Sequence, residues 1–247
     1  MATPKDILNA MICYCQLGKD CEALNNHDFE ERIVDPLADR GYEFDFDCGA
    51  SKGVLIFDKE HFVIKVPFQA CTYDESAYTD DLEAHDRGSL SYTPVIGDYL
   101  NYFERANNFF LETFSNWDYC ELECAVYQEA KKEGLEPYFA KEQLLGYVNM
   151  HPVYVQEYVV PYAEASSTRP KEVTREKRTK TEDFCASFDQ DCFNLRWIVD
   201  FIEVYGHDEF RRLCLFLKKL SIVDLHRGNV GYLNGFPILL DYSNFND

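Results

Sequence analysis

Positive charge is in short supply in this sequence. Lys and Arg number 24 against 44 Asp and Glu, which gives a formal net charge of −20 over 247 residues. Such a surface repels phosphate backbones and anionic headgroups, so neither nucleic acid nor an anionic membrane is expected as a general partner. Long apolar runs are also missing, and none approaches the ~18–20 residues of a membrane span. The first twenty residues, "MATPKDILNAMICYCQLGKD", have an early Lys and Asp, a short apolar run and no small-residue cleavage site. They do not read as a signal peptide. Paired cysteine motifs are lacking too, although there are ten Cys. Cys13, Cys15 and Cys21, with His27 nearby, have no second CxxC-like pair to complete a zinc site, and Cys13 and Cys15 fall in a helical pattern. Cys120 and Cys124 lie one helical turn apart. Packing is the expected role of both groups, as free thiols in a reducing cytoplasm.

What is present points to a folded α+β chain. Aromatic residues make up 15% of it, which argues against disorder. Residues 3–16 read as a helix, with Thr3 as cap, Pro4 in its first position, and Ile7, Met11 and Ile12 as an apolar stripe. A second helix is expected over 26–39, broken or begun again at Pro36. Residues 42–68 hold three strand-like runs joined by short connections, the pattern of an antiparallel meander. Residues 72–93 are acidic, lack a clear period and read as an inserted loop. Residues 95–116 are aromatic-rich and read as helical. Residues 117–132 form a helix by periodicity, with Leu122, Val126 and Ala130 at four-residue spacing. "EQLLGYVNMHPVYVQEYVVPY" supplies two more strands. Residues 163–183 turn polar and net basic and read as a flexible insertion. Helices are expected over 193–205 and 207–219, separated by Gly206. Asn234-Gly235 between apolar runs signals a terminal hairpin.

The end of the chain carries the chemistry. In "DLHRGN", four residues separate Asp224 from Asn229, and Asp241 follows Asn229 by twelve residues, beyond the hairpin. A loop followed by a hairpin can bring three such groups to one mouth, with oxygen donors suited to magnesium. The bland alternative is an Asp and an Asn that satisfy loop backbone. This segment resembles the protein-kinase-like superfamily, whose catalytic loop D-L-x-x-x-N precedes a D-F-G segment, here "DYS". The strand-borne Lys of that family has a match in "FVIKV", at Lys65. Its helix Glu has two candidates in "ELECAVYQEA": Glu123, preferred because Val126 and Tyr127 pack beside it, and Glu121. "YVQEYVVPY" resembles the hinge, where backbone groups of Glu157 and Val159 would face adenine.

The resemblance implies a bilobal protein-kinase-like fold over about residues 45–245. Residues 1–40 would form an N-terminal helical extension and 41–160 an antiparallel-sheet N-lobe with an insertion at about 72–115. Residues 161–247 would form a reduced helical C-lobe that ends in the hairpin. It also implies ATP and Mg²⁺ as cofactors. Asp224 would orient the acceptor hydroxyl, and Asn229 and Asp241 would bind the metal. The Gly-rich loop is reduced to "CGASKGV", where Gly49, Ser51 and Gly53 could approach phosphate and Lys52 could add charge. His226 stands where protein kinases commonly carry Lys; it would stabilise the transferred phosphate or order the loop. Only six residues follow Asp241, with no A-P-E and no helical platform. Either the chain is truncated there, or it follows a reduced plan that resembles some bacterial effector kinases and phage-encoded kinase-like proteins. The implied activity is phosphate transfer to a hydroxyl, with a protein Ser/Thr substrate. The alternatives are a pseudokinase that binds nucleotide or a partner protein, a kinase-fold AMP transferase, and a small-molecule kinase.

Overall fold

Alternation along a few short segments builds the sheet that carries the site. The structure is a computed structural model. It describes residues 2–17, 24, 26–49, 52–68, 75–91, 118–168, 173–188, 194–220, 222 and 225–242. Within them, β1 (Asp45–Cys48), β2 (Lys52–Phe57), β3 (Phe62–Pro67), β4 (Glu142–Val148) and β5 (His151–Glu157) form one antiparallel sheet in the order β1-β2-β3-β5-β4. Successive side chains of a strand point to opposite faces. In β2, Leu55 and Phe57 join a core with Phe62, Ile64 and Val66 of β3. On the other face, Lys52, Val54 and Ile56 meet Val63 and Lys65 along a cleft. The register places Val54 opposite Lys65 and Gly53 opposite Val66.

The first face is covered by the N-terminal helices. α1 (Pro4–Tyr14) begins at a capping box in which Thr3 Oγ1 accepts from Asp6 N at 3.3 Å and Asp6 Oδ2 accepts from Thr3 N at 2.9 Å. Ile7 and Met11 are buried one turn apart. Ile12 does not share their stripe: it lies about 100° further round and is 54% exposed. The next helical run passes from α2 (Asn26–Phe29) through a π-helical turn (Glu30–Val34) into α3 (Asp35–Ala38). Pro36 therefore sits in the first turn of α3 without ending the helical run. Phe29, Ile33 and Leu37 from this run join Ile7 and Met11 against the sheet. Cys15 is partly buried here, and burial pushes its thiol up to about 12, as packing requires. Cys13 is exposed, and Cys21 lies outside the described residues.

Two stretches differ from their sequence reading. Within the acidic segment, α4 (Glu75–Asp86) is helical where a loop was expected. Its sequence lacks an apolar face, so no period announces it. Residues 163–183 likewise hold helices: α6 (Tyr162–Thr168) and α7 (Arg175–Ala186), the latter capped by Thr174. α7 buries only Thr181 and Cys185, too thin a stripe to read in the sequence. The helix expected over 95–116 lies outside the described residues.

A second core forms around α5 (Tyr119–Lys132), α8 (Leu195–Tyr205), α9 (His207–Lys219) and a hairpin. β6 (Val160–Pro161), β7 (Val230–Leu233) and β8 (Phe236–Leu239) make a three-stranded antiparallel sheet in that order. The hairpin turns through Asn234 (φ 52°) and Gly235 (φ 88°), the positive pair that matches strand twist. Gly206 (φ 93°) separates α8 from α9. The described residues are thus α+β, with two large buried cores, a small third one of Ala140, Val159 and Ile238, and the cleft lined from both sides. No helix among them is long and apolar enough to cross a membrane.

Candidate functional site

Asp118 fixes the start of α5. Its Oδ1 accepts from Glu121 N at 2.7 Å, and its Oδ2 accepts from the Tyr154 hydroxyl of β5 at 2.8 Å. The helix is thereby tied to the sheet at its first turn. Leu122, Val126 and Ala130 then sink into the second core, and Glu123, next to Leu122, is carried into the cleft side of the sheet with no exposed surface. There it accepts from two ammonium groups, Lys65 of β3 and Lys52 of β2. The fallback Glu121 is not in this cluster; it sits half-buried near Asp118.

Lys65 also donates to Glu142 of β4 at 2.7 Å. Glu142 is held in turn by Gln156 Nε2 at 3.0 Å, and the same amide reaches Leu240 O at 2.9 Å. Lys52 reaches Asp241 Oδ1 at 3.2 Å. Two lysines and three carboxylates therefore share one buried cluster. Burial alone would lower both lysines. The carboxylates outweigh it: Asp241 and Glu123 hold Lys52 above its ordinary value, and Glu123 and Glu142 do so for Lys65. Burial raises Glu123 and Asp241 despite the two ammonium groups. The cluster is cross-braced because each removal leaves a buried charge without its counterpart.

On the facing side, one carbonyl organises the loop and the hairpin end. Asn229 O accepts from Leu240 N at 3.0 Å and from Asp241 N at 3.4 Å. Tyr242, fully buried, anchors the hairpin end: its hydroxyl donates to Ala140 O at 2.6 Å and its ring meets Phe139 edge-on. Asn229 and Asp241 thus line the same cleft of about 680 Å³ as Lys52 and Lys65. A carboxylate and an amide oxygen are hard donors of the kind Mg²⁺ takes when phosphate oxygens and water complete its shell, and Asp241 and Asn229 could each supply one.

His226 lines the cleft, and its Nδ1 accepts from Gly228 N at 2.9 Å, so the ring orders its own loop. A Cβ on Gly228 would lie 2.7 Å from the exposed His226 ring, which would have to turn to admit it. Gly49 lines the cleft at the β1–β2 turn, where its N–H donates to Lys52 O at 3.0 Å. Gly53 has a different reason for being glycine. A Cβ on it would sit 2.4 Å from the Phe29 ring, on the face away from the cleft. Val159 lines the cleft. Glu157 does not: its N–H donates to Lys141 O at 3.2 Å and its carboxylate accepts from Lys141 N at 2.7 Å, so the sheet end uses it. Ser51 and Asp224 lie outside the described residues.

The sequence reading missed Glu142, Gln156 and Asp118 as parts of the site, and missed Lys52 as a partner of Glu123. Glu142 and Gln156 stand opposite one another in the β4–β5 register, on a ladder with an irregularity between Leu144 and Gly146. Without that register the sequence gives no signal that joins them. Against family models, curated proteins and solved structures, the chain finds no match.

Proposed function

We propose that the protein is an ATP- and magnesium-dependent phosphotransferase that moves the γ-phosphate to a hydroxyl, with a protein Ser/Thr as acceptor. One observation carries this reading: Lys65 of the sheet, paired with Glu123 of α5, lines the same cleft as Asn229 and Asp241. Phosphoryl transfer asks for that division of labour, a cation for the phosphates opposite oxygen donors for the metal. In this reading the five-stranded sheet with its helices is the N-lobe of a kinase-like fold, and the core around α8, α9 and the hairpin is the reduced C-lobe. Val54, Val63, Val159 and Leu240 give the cleft an apolar part suited to a purine ring. Asn229 and Asp241 would hold Mg²⁺, which supplies charge neutralisation at the phosphates when bound. Asp224, five positions before Asn229, is assigned the acceptor proton.

The test is calorimetric titration with ATP, with and without magnesium, on the wild type and on an Asp241→Ala variant. Magnesium-dependent binding that the variant loses supports the nucleotide site. No binding by the wild type sinks the reading. Labelled nucleotide then separates the chemistries: γ-label in an acceptor supports phosphate transfer, and α-label indicates AMP transfer. Binding without transfer of either label indicates a pseudokinase.

A further inference from the structure

The two lysines of the cluster are held differently. Lys65 lies between Glu123 and Glu142, whose side chains have no exposed surface. Its position is fixed from both sides, and Glu142 Oε1 already lacks a hydrogen-bond partner. Pulling Lys65 away would leave that buried carboxylate with the neutral Gln156 amide and without the ammonium that balances its charge. Lys52 is held by Glu123 on one side and by Asp241 on the other, and the Asp241 side chain is 19% exposed. The Lys52–Asp241 contact is the longest of the four ion pairs in the cluster, at 3.2 Å. It is also the one that opens on the cleft, and it engages the carboxylate assigned to the metal.

We propose that Lys52 is an internal counter-ion that occupies Asp241 until a divalent metal arrives, and that on metal–nucleotide binding it turns to the phosphates while it stays tethered to Glu123. The inference rests on the phosphotransferase reading for its second half. The first half, competition between an ammonium and a metal for one carboxylate, is argued from the Lys52–Asp241 contact on the cleft. Three carboxylates against two ammonium groups give the cluster a formal excess of one negative charge, so a metal at Asp241 meets attraction from the cluster and exclusion by Lys52. Displacement costs Lys52 its contact with Asp241 and keeps the one with Glu123. It gains phosphate oxygens, to which a compact ammonium binds as a point charge. Lys52 then brings a second positive charge to the phosphates beside Lys65, which stays braced by Glu123 and Glu142.

Two measurements test this, both on the full chain. In the first, Mn²⁺ alone is titrated without nucleotide, and the free ion is read by electron paramagnetic resonance. Lys52→Met should bind Mn²⁺ at least about tenfold more tightly than wild type, because a unit charge next to the ligand is gone. Lys52→Arg, which keeps the charge, should behave like wild type, and Lys52→Met/Asp241→Asn should lose the gain. Equal Mn²⁺ affinity of the wild type and Lys52→Met, with both folded by circular dichroism, overturns the competition. If Lys52→Met does not fold, Lys52→Gln takes its place, and the same affinity ordering against Lys52→Arg is required. In the second measurement, ATP is titrated at saturating Mn²⁺. Lys52→Met should bind ATP about tenfold or more weakly, although it binds the metal better. Unweakened ATP binding overturns the phosphate role. A wild type that binds Mn²⁺ but no ATP removes the phosphotransferase reading and with it the phosphate role, and leaves the counter-ion half decided by the first measurement.

Discussion

Lys65 contributes to this protein by what its absence would leave behind. Two buried carboxylates, Glu123 and Glu142, lean on its ammonium. Lys65→Met keeps the length of the stem and removes the charge. It should destabilise the fold by about 3–5 kcal/mol, as breaking a buried ion pair does. Urea denaturation reads this, and a Lys65→Met/Glu142→Gln double variant should recover part of the loss, by about 1–3 kcal/mol of coupling. Simple additivity would show that the two residues act independently. Glu121 supplies a pH prediction. Burial, then the Asp118 charge, raises its carboxyl from 4.5 to about 7. Its place in the first turn of α5 would favour the charged form, but burial wins. The folded state therefore binds a proton more tightly than the unfolded chain between those values, and stability falls as pH rises through that window. Glu121→Gln should be more stable than wild type at pH 8, and the gap should close by about pH 4.5. A gap that stays constant with pH would contradict the raised carboxyl. At this scale the sequence showed Lys65 and Glu123 because a motif order ties them together. Lys52 looked like a loop cation, since nothing in one sequence shows that β2 and β3 put two ammonium groups on one glutamate.

Elements were readable where burial imposes a period. β2, α1, α5, α8 and α9 repeat against a core, while β3 reads as an unbroken apolar run and the hairpin by its Asn234-Gly235 turn. α7 buries only Thr181 and Cys185 and the sequence of α4 lacks an apolar face, so both passed for loops. The glycine at position 53 shows how an element-level fact corrects a motif. Read as part of a phosphate-binding loop, it would be small to admit a ligand. In the structure it is small to admit Phe29, which crosses β2 on the opposite face. Gly53→Ala should thus cost about 1–3 kcal/mol through overpacking against an aromatic ring. A Phe29→Leu background should reduce that cost, as measured by urea midpoints at constant slope. Nucleotide affinity of the folded Gly53→Ala protein should be unchanged. If Phe29→Leu gives no relief and nucleotide affinity drops, the small residue serves the cleft instead.

At the scale of the whole molecule, the two cores share the burden unequally. The core around α5, α8 and α9 closes on itself with Trp197, Phe201, Phe210 and Phe216. The sheet cannot do the same. Its cleft side is occupied by charged groups, so Leu55, Phe57, Ile64, Val66 and Val153 depend on the N-terminal helices for cover. Close packing reinforces this: a Cβ on Gly146 of β4 would lie 2.6 Å from Leu8 Cδ2, so α1 rides directly on the strand backbone. That coupling was hidden in the sequence, where residues 1–40 could be read only as an appendage with an apolar stripe. A chain that lacks residues 1–40 would expose one entire sheet face, and apolar burial is the main force that holds Lys65 and Lys52 in register. It should bind a hydrophobic dye and lose its cooperative thermal transition, and with them any nucleotide or metal binding. Point changes can grade the effect. Met11→Ala should lower stability by about 2–5 kcal/mol. Ile12→Ala, one residue on, should change it by less than about 0.5 kcal/mol, because that side chain is already in water. If the truncated chain still melts cooperatively, the sheet face is covered by something other than these helices, and their packing is incidental to the site.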